Sequence, residues 1–537
     1  MKWLFLKKAG SITLCFTTLF VSLTGCTKVT KDKSYWVSNW ENEQVWDEYD
    51  NDELLSPKNN DIDIPSKSTP PKNNNSSISS ENSNKGQNSI TVDPDDKPTV
   101  KNTANLMNPF SVKSDPAAEV LRDKVLYSKS KPVNVTGKVY YISYRGDDKN
   151  DGLSPQTPWK TLSKLSFAVQ IGEGDAVLFE RGGVYRGVSI SCINGVYYGA
   201  YGEGDKPAMY GSKKNYAKTK WTKDSKKNVW IASGLFVDAG IVIFNHGEFA
   251  GNRVFDKAEL MNNGDFFSEE GGKLYLYMDT DPAQKYTDIE IGTDSHIFSI
   301  PGNGHDITID NFTIKYGGAM GVQASSGATN ITVTNCEIGW LGGGLHSSGV
   351  RYGNGIEFWS QCKNIIVENN WIYQIYDSGF THQGNNTSRF TVENLLFTNN
   401  LVEYCNFAAV EYWAPAENMH KMINIEYSNN ILRFAGYGWG AKNQPAVLLY
   451  STDNYNDCEN FVIKNNILDT AVSRIIRCIH QSGKLPVMSG NTFIGKPGDR
   501  LGLFGDSATD TTFLMNDETQ DLIRQEWNDP TAVIQFN

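Results

Sequence analysis

One phrase recurs through the second half of the chain, and it limits the fold more than any other feature. A short apolar strand runs into asparagine, and a second apolar strand follows at once. The phrase reads Asp310-Asn311-Phe312-Thr313-Ile314, Thr334-Asn335-Cys336-Glu337-Ile338, Glu368-Asn369-Asn370-Trp371-Ile372, Thr398-Asn399-Asn400-Leu401-Val402, Ser428-Asn429-Asn430-Ile431-Leu432, Lys464-Asn465-Asn466-Ile467-Leu468 and Gly490-Asn491-Thr492-Phe493-Ile494. Aligned on Asn311, Asn335, Asn369, Asn399, Asn429, Asn465 and Asn491, the steps are 24, 34, 30, 30, 36 and 26 residues. A fixed phrase with a variable remainder is the mark of a solenoid whose loops absorb the differences. Short strands such as Ile331-Thr332-Val333 and Ile365-Ile366-Val367 precede most of the asparagines. The expected unit is therefore one coil of a parallel β-helix. Asparagine suits its sharp corner because it tolerates the left-handed backbone conformation, and stacked amides can hydrogen-bond from coil to coil.

The strand after each corner loop carries the candidate chemistry. Aligning Gly321-Val322-Gln323, Gly355-Ile356-Glu357, Gly379-Phe380-Thr381, Ala409-Val410-Glu411, Ala446-Val447-Leu448 and Ile476-Arg477 sends the middle apolar residues inward. Their neighbours then point outward, since side chains alternate along a strand. The first outward column reads Gln323, Glu357, Thr381, Glu411, Leu448 and Arg477. The second reads Ser325, Trp359, Gln383, Trp413, Tyr450 and Ile479. Gly- and aromatic-rich loops, 339–354 and 433–444, flank this face. Trp359, Trp413 and Tyr450 offer stacking surfaces for sugar rings, with Gln323, Arg351 and Arg477 as polar contacts. Glu357 and Glu411 lie two coils apart in this alignment, about 9.6 Å between backbones at ~4.8 Å per strand. That is close to the upper end of the roughly 6.5–9.5 Å carboxylate separation used by inverting glycosidases. They are the expected acid and base, in unassigned order. Asp377 and His382 are the reserves, although His382 falls in an inward register.

The N-terminal part reads as an address and a spacer. Lys2, Lys7 and Lys8 precede an apolar stretch over 12–21, and Leu23-Thr24-Gly25-Cys26 follows. This resembles a bacterial lipoprotein signal, which implies cleavage of 1–25 and a lipid on Cys26. The stretch is too short for a membrane span. The implied location is the cell membrane, lipid-anchored and facing outward. Residues 26–115 are poor in aliphatic residues, and 58–101 is dominated by Asn, Ser, Lys, Pro and Asp, so a disordered tether is expected. A short helical lead-in over 116–136 follows. The net charge of −11 disfavours nucleic acid as a partner. Cys192, Cys336, Cys362, Cys405, Cys458 and Cys478 show no zinc spacing, so most are read as small core residues.

The body opens with Tyr140-Tyr141-Ile142-Ser143, the run Gly146-Asp147-Asp148-Lys149-Asn150-Asp151-Gly152, and Pro158-Trp159-Lys160-Thr161-Leu162. With Phe179-Glu180-Arg181-Gly182-Gly183-Val184-Tyr185 and Tyr198-Gly199-Ala200-Tyr201-Gly202, it resembles the opening of right-handed parallel β-helix carbohydrate-active enzymes. The resemblance covers about 137–520. It implies an all-β, pectate-lyase-like solenoid: a cap and first coils over 137–212, coils over 296–510 and a C-terminal cap over 511–537. Residues 213–295 break the rhythm with Val229-Trp230-Ile231, Lys273-Leu274-Tyr275-Leu276-Tyr277 and Ile289-Glu290-Ile291, read as an inserted β subdomain. The implied substrate is a polysaccharide or oligosaccharide, the implied state a monomer. The N-T-D, D-D, G-H-G and R-I-K phrases of the pectin hydrolases are missing from the aligned coils. The β-xylosidase type sets its Asp and Glu on neighbouring coils, whereas Glu357 and Glu411 skip one. Three activities therefore stay open: a glycoside hydrolase, a polysaccharide lyase with Arg477, Arg351 or Lys442 as base, and a glycan-binding adhesin without catalysis. No cofactor is required by the first. Ca²⁺ is an option for the Asp147–Asp151 turn, which reads first as a turn and cap.

Overall fold

The computed structural model describes residues 113–537, apart from 133–134, 166–170, 236, 270–271, 347–348, 386, 416–418, 441–445, 455–456, 481–483 and 506–512. The signal segment, Cys26, nearly all of the tether and Lys442 lie outside the described residues. The body is a right-handed parallel β-helix built from three sheets of ten strands each. The first sheet runs from Val139–Ile142 to Val487–Ser489, the second from Val184–Arg186 to Val533–Phe536, and the third from Ile190–Ser191 to Phe513–Leu514. One coil visits all three in turn, as in Ala328–Thr334, Glu337–Leu341 and Ile356–Trp359. Strands pair in parallel with their equivalents in the coils before and after, for example Ile331 with Ile365 and Ile338 with Ile372, except the last strand of the third sheet, Phe513–Leu514, which runs antiparallel to Arg500–Gly505. Inward residues then stack in rows. Ile309, Val333, Val367, Phe397, Tyr427, Ile463 and Met488 form one such row in successive strands, and all are buried.

The asparagines divide into two functions. Asn311, Asn335, Asn369, Asn399, Asn429 and Asn465 take φ between 53° and 74° and turn the corner. Gly490, with φ 70°, holds this place in the last phrase. Asn491 is thus shifted by one from the sequence alignment: it belongs with the second asparagine of each pair. That second set, Asn370, Asn400, Asn430, Asn466 and Asn491, is buried and stacked. Each side-chain N–H donates to the next amide oxygen at 2.9–3.1 Å, and Asp529 closes the series at 2.9 Å. The same nitrogens also donate to carbonyls of the preceding coil, such as Asn400 to Val367 at 3.0 Å. A further ladder lies in the first sheet on the exposed side, where Asn330, Asn364, Asn394, Asn424 and Asn460 link side chain to side chain at 2.8–2.9 Å. Each of these precedes its corner asparagine by five residues and also has positive φ.

The opening segment forms a lid on the first coil. Trp159 is buried and stacks on Tyr140 with centroids 5.0 Å apart. The aspartates of the adjoining turn accept local hydrogen bonds. Asp148 takes the Lys160 and Thr161 backbone N–H groups at 2.9 Å, and Asp151 takes Leu153 N–H at 3.0 Å and the Thr157 hydroxyl at 2.7 Å. Helix α1 (Asp115–Leu126) lies on the outer face of the second sheet: Arg122 reaches Glu403 at 3.1 Å and covers the Trp371 ring. The six cysteines are free thiols buried in the core.

Residues after Ala208–Tyr210 leave the second sheet and return to the third at Phe298–Ile300. Between them stand a three-stranded sheet (Phe249–Ala250, Ala239–Phe244, Ile289–Thr293) and a five-stranded one (Asn252–Arg253, Asp265–Glu269, Lys273–Tyr277, Val229–Ser233, Thr222–Lys223). They share a core of Trp221, Trp230, Phe244, Phe266, Leu274 and Ile291. The insertion therefore replaces one loop between the second and third sheets. In later coils, that loop borders the glutamates.

Candidate active site

The third sheet puts both glutamates on one column. Ile356, Phe380 and Val410 pair in adjacent strands and sit in the core, so the next residue on each strand faces outward. The observed column is Gln323, Glu357, Thr381, Glu411, Tyr450 and Arg477. Leu448 does not belong to it. Leu449 pairs with Val410, so the strand Val447–Asn454 is displaced by two residues from the sequence alignment and Tyr450 follows Glu411. The second column keeps Trp359, Gln383 and Trp413 in adjacent strands.

Loop lengths shape what stands around the column. Between the second and third sheets, two successive coils have short connections, 376–379 and 404–407. Long ones flank them, 342–355 and 436–446. The first long loop contains a hairpin, Gly344–Leu345 with Arg351–Tyr352. The inserted subdomain braces it: Arg253 donates to Gly343 O at 2.9 Å, Asp238 accepts Leu345 N–H at 3.1 Å, and Tyr352 donates its hydroxyl to Asp294 at 2.6 Å. From the other side, Trp439 donates N–H to the Gln374 side-chain oxygen at 2.9 Å and indole N–H to the Gln374 carbonyl at 3.0 Å. Its ring lies 5.5 Å from that of Tyr376. The short connection carrying Asp377 thus lies between two walls.

A chain of hydrogen bonds ties the carboxylates together. The Asn354 side-chain N–H donates to Glu357 at 2.7 Å, and its oxygen accepts Ser378 N–H at 2.9 Å. The Ser378 hydroxyl donates to Glu411 at 2.7 Å. Glu357 and Glu411 are only 5% and 7% exposed, so neither is an ordinary solvated strand residue. Burial pushes the Glu357 carboxyl up to about 7; the Asn354 amide opposes this, and the Asp377 charge adds to the rise. Burial also raises Asp377 to about 7, against backbone N–H groups that favour its charged form. Asp377, on the coil next to Glu357, is partly exposed. The fold therefore gives Glu357 an acidic neighbour on the adjacent coil as well as a partner two strands away. Among the described residues, no set of three His, Cys, Asp or Glu side chains converges as a metal site.

Several candidates stand elsewhere. His382 faces the interior, wholly buried, with Nε2 against the Tyr427 hydroxyl and its ring beside Phe380, Tyr412 and Phe461. Strand alternation puts it on the opposite side of the sheet from Thr381, so it cannot reach a ligand over the glutamates. Arg351 is consumed by the fold: its guanidinium donates to Gly343 O at 3.0 Å and Gly240 O at 3.3 Å and covers the Tyr376 ring at 4.2 Å. Burial lowers it to about 10, and the side chain is only partly exposed. Tyr450 is 2% exposed, packed edge-on against Phe407 at 4.8 Å and bonded by Arg477 at 3.3 Å. It is not an open stacking surface. Trp359 and Trp413 in the second column, and Gln323 and Arg477 at the ends of the first, remain partly exposed. Asn354 and Ser378 were not singled out by sequence; their signal is position, three residues before Glu357 and Thr381 in aligned strands.

No protein-family model matches the chain. Over 103 residues it is 32% identical to a lacto-N-biosidase of Bifidobacterium longum subsp. longum. That match covers 18% of this chain and 6% of the relative, so the chain spans a small part of that protein's length. Among solved structures, a GH136 lacto-N-biosidase from Eubacterium ramulus superposes with TM-score 0.33 at 13% identity, covering 70% of this chain and 66% of that one. Pectate lyase Pel9A superposes with TM-score 0.31 at 12% identity, covering 67% and 70%. At these values the two are likenesses of fold.

Proposed function

We propose that this chain is a glycoside hydrolase acting on a polysaccharide or oligosaccharide, with Glu357 as general acid and Glu411 as general base. The observation that carries the reading is the shared column: two buried carboxylates separated by Thr381, one holding its proton near neutrality. Two strand steps of ~4.8 Å leave space for a water beside the sugar, as inversion requires. Glu357 passes its proton to the glycosidic oxygen as the bond from that oxygen to the anomeric carbon breaks. Water attacks the anomeric carbon from the other face and gives its proton to Glu411. Asp377 supports the acid, because a nearby negative charge disfavours ionised Glu357. Trp359 and Trp413 offer apolar faces on which a sugar ring stacks. The short match to a lacto-N-biosidase is in keeping with cleavage of O-glycosyl bonds.

The test is a glycan panel incubated with the purified body, read for new reducing ends and for ultraviolet absorbance. Hydrolysis gives reducing ends alone. An unsaturated, absorbing product signals a lyase, and binding without product an adhesin. Addition of a chelator to the same assay tests Ca²⁺ dependence. The reading extends to a lipid anchor at Cys26 on the outer side of the cell membrane, supported by the Leu23-Thr24-Gly25-Cys26 phrase. Cys26→Ser should release the protein from the membrane fraction; retention there refutes the anchor.

A further inference from the structure

Gln383 stands in the row between Trp359 and Trp413, one residue on each of three adjacent strands. All three are partly exposed. Gln383 faces the same side of the sheet as Thr381, and so the same side as Glu357 and Glu411, because residues two apart on a strand share a face. One strand step of ~4.8 Å and two residues of rise at ~3.3 Å put its Cα about 8 Å from that of Glu357. Two long side chains span that gap. An amide with an indole on either side gives up water on both flanks, and a polar head so placed is costly unless it finds a partner. The carboxyl of Glu357 is one. Asn354 donates to its Oε2 at 2.7 Å, and a carboxyl has a second oxygen that also accepts. Burial and the Asp377 charge favour neutral Glu357, while hydrogen bonds from the Asn354 and Gln383 amides favour its charged form.

We propose that Gln383 is a positioning residue for the general acid: its amide fixes the Glu357 carboxyl from the neighbouring coil and directs the acidic proton at the glycosidic oxygen. The proposal rests on the hydrolase reading above and adds how that site orients its acid. Asn354, three residues before Glu357, holds the same group from within its own coil. When Glu357 gives its proton to the glycosidic oxygen and the bond to the anomeric carbon breaks, the carboxyl becomes a carboxylate. An amide N–H already directed at it stabilises that charge as it forms. Gln383 neither gains nor loses a proton. Its effect falls on proton donation and not on affinity for sugar, so it is largest where the leaving oxygen most needs a proton.

The experiment compares the full chain with Gln383→Met, Gln383→Glu and Glu357→Gln. The substrates are the glycans hydrolysed in the panel and p-nitrophenyl glycosides, whose leaving group needs little protonation. Methionine keeps the length of the side chain between the tryptophans and removes the amide. Gln383→Met should lower kcat on glycans about 10-fold, against less than about threefold on p-nitrophenyl glycosides, with KM changed less than about twofold on both. The basic limb of its kcat/KM profile should move up by roughly half a unit to one unit, because a donor that favours charged Glu357 is gone. Gln383→Glu should move the limb further in the same direction, since it puts another negative charge beside the acid. An unmoved limb in both Gln383 variants overturns the proposal. So does an equal loss on the two kinds of substrate with a raised KM, which shows a sugar contact instead. Either result leaves the hydrolase reading intact when Glu357→Gln is inactive on glycans. Full activity of Glu357→Gln on glycans overturns the parent reading instead.

Discussion

Asn400→Ala should be among the most damaging single substitutions in the coils, although Asn400 touches nothing in the candidate site. Its side chain makes four hydrogen bonds. The nitrogen donates to Val367 O at 3.0 Å and to Asn430 at 3.1 Å, and the oxygen accepts the Asn370 backbone N–H at 2.9 Å and side-chain N–H at 3.1 Å. Alanine leaves the Asn370 backbone donor buried without that acceptor, which costs about 1–3 kcal/mol, and removes three more bonds worth about 1 kcal/mol each. Asn430 keeps the Asn400 backbone N–H, so the partners are not all stranded. A total of roughly 4–6 kcal/mol follows, a large share of the 5–15 kcal/mol that typically separates folded from unfolded domains. Two controls isolate the cause. Asn399→Gly keeps the left-handed corner, where Asn399 has φ 55°, and should shift stability by less than about 1 kcal/mol. Asn394→Gly removes only solvent-facing bonds, to Asn364 and from Asn424, and should also stay within about 1 kcal/mol. The assay is guanidinium denaturation followed by far-ultraviolet circular dichroism. Equal losses in Asn400→Ala and Asn394→Gly would refute the claim that burial makes the second asparagine ladder the structural one.

Three further outcomes follow from the site and the core. Glu357→Gln and Glu411→Gln should each lower reducing-end release at least a hundredfold with the fold intact by circular dichroism; full activity in both removes the assignment. If Glu357 is the acid, kcat/KM should fall about tenfold per pH unit above a limb near 7, and Asp377→Asn should move that limb to lower pH by removing the charge that helps hold the proton; an unmoved limb refutes the coupling. Burial depresses His382 to about 3 and His480 to about 4, so both stay neutral in the folded chain while the unfolded chain protonates them near 6.5. Their contribution is complete above pH 6.5 and is lost as pH falls towards 4, about 4 kcal/mol for the pair by pH 5. The double variant His382→Gln, His480→Gln should show a flatter stability profile between pH 7 and 5 in denaturant titrations, and an unchanged slope would contradict it.

Much of the fold was legible because the repeating unit is local. Corner asparagine, apolar strand and inward-outward alternation are all properties of a few consecutive residues. The asparagine ladder was nevertheless read one residue off at Asn491, since only stacking separates the corner residue from the bonded one. The exposed ladder had a signal too, an asparagine five residues before the corners at Asn335, Asn369, Asn399, Asn429 and Asn465, but asparagine in a strand reads as a turn until its neighbours in adjacent coils are known. Leu448 was put in the place of Tyr450 for a related reason. A displacement of two residues preserves alternation, so the pattern along one strand cannot reveal it.

By itself the sequence determined the coil: its length, its corner chemistry and the outward direction of Glu357 and Glu411, because backbone geometry and the aversion of apolar side chains to water act over short stretches. Only the tertiary structure decided what those carboxylates experience. Their burial, the Asn354–Ser378 hydrogen-bond chain between them and the presence of Asp377 depend on loops of unequal length folding back from other coils, braced by the inserted subdomain. The same long-range packing enclosed His382, engaged Arg351 and covered Tyr450. Protonation and access are set by the surroundings of a residue in space, and those surroundings are supplied by parts of the chain distant in sequence.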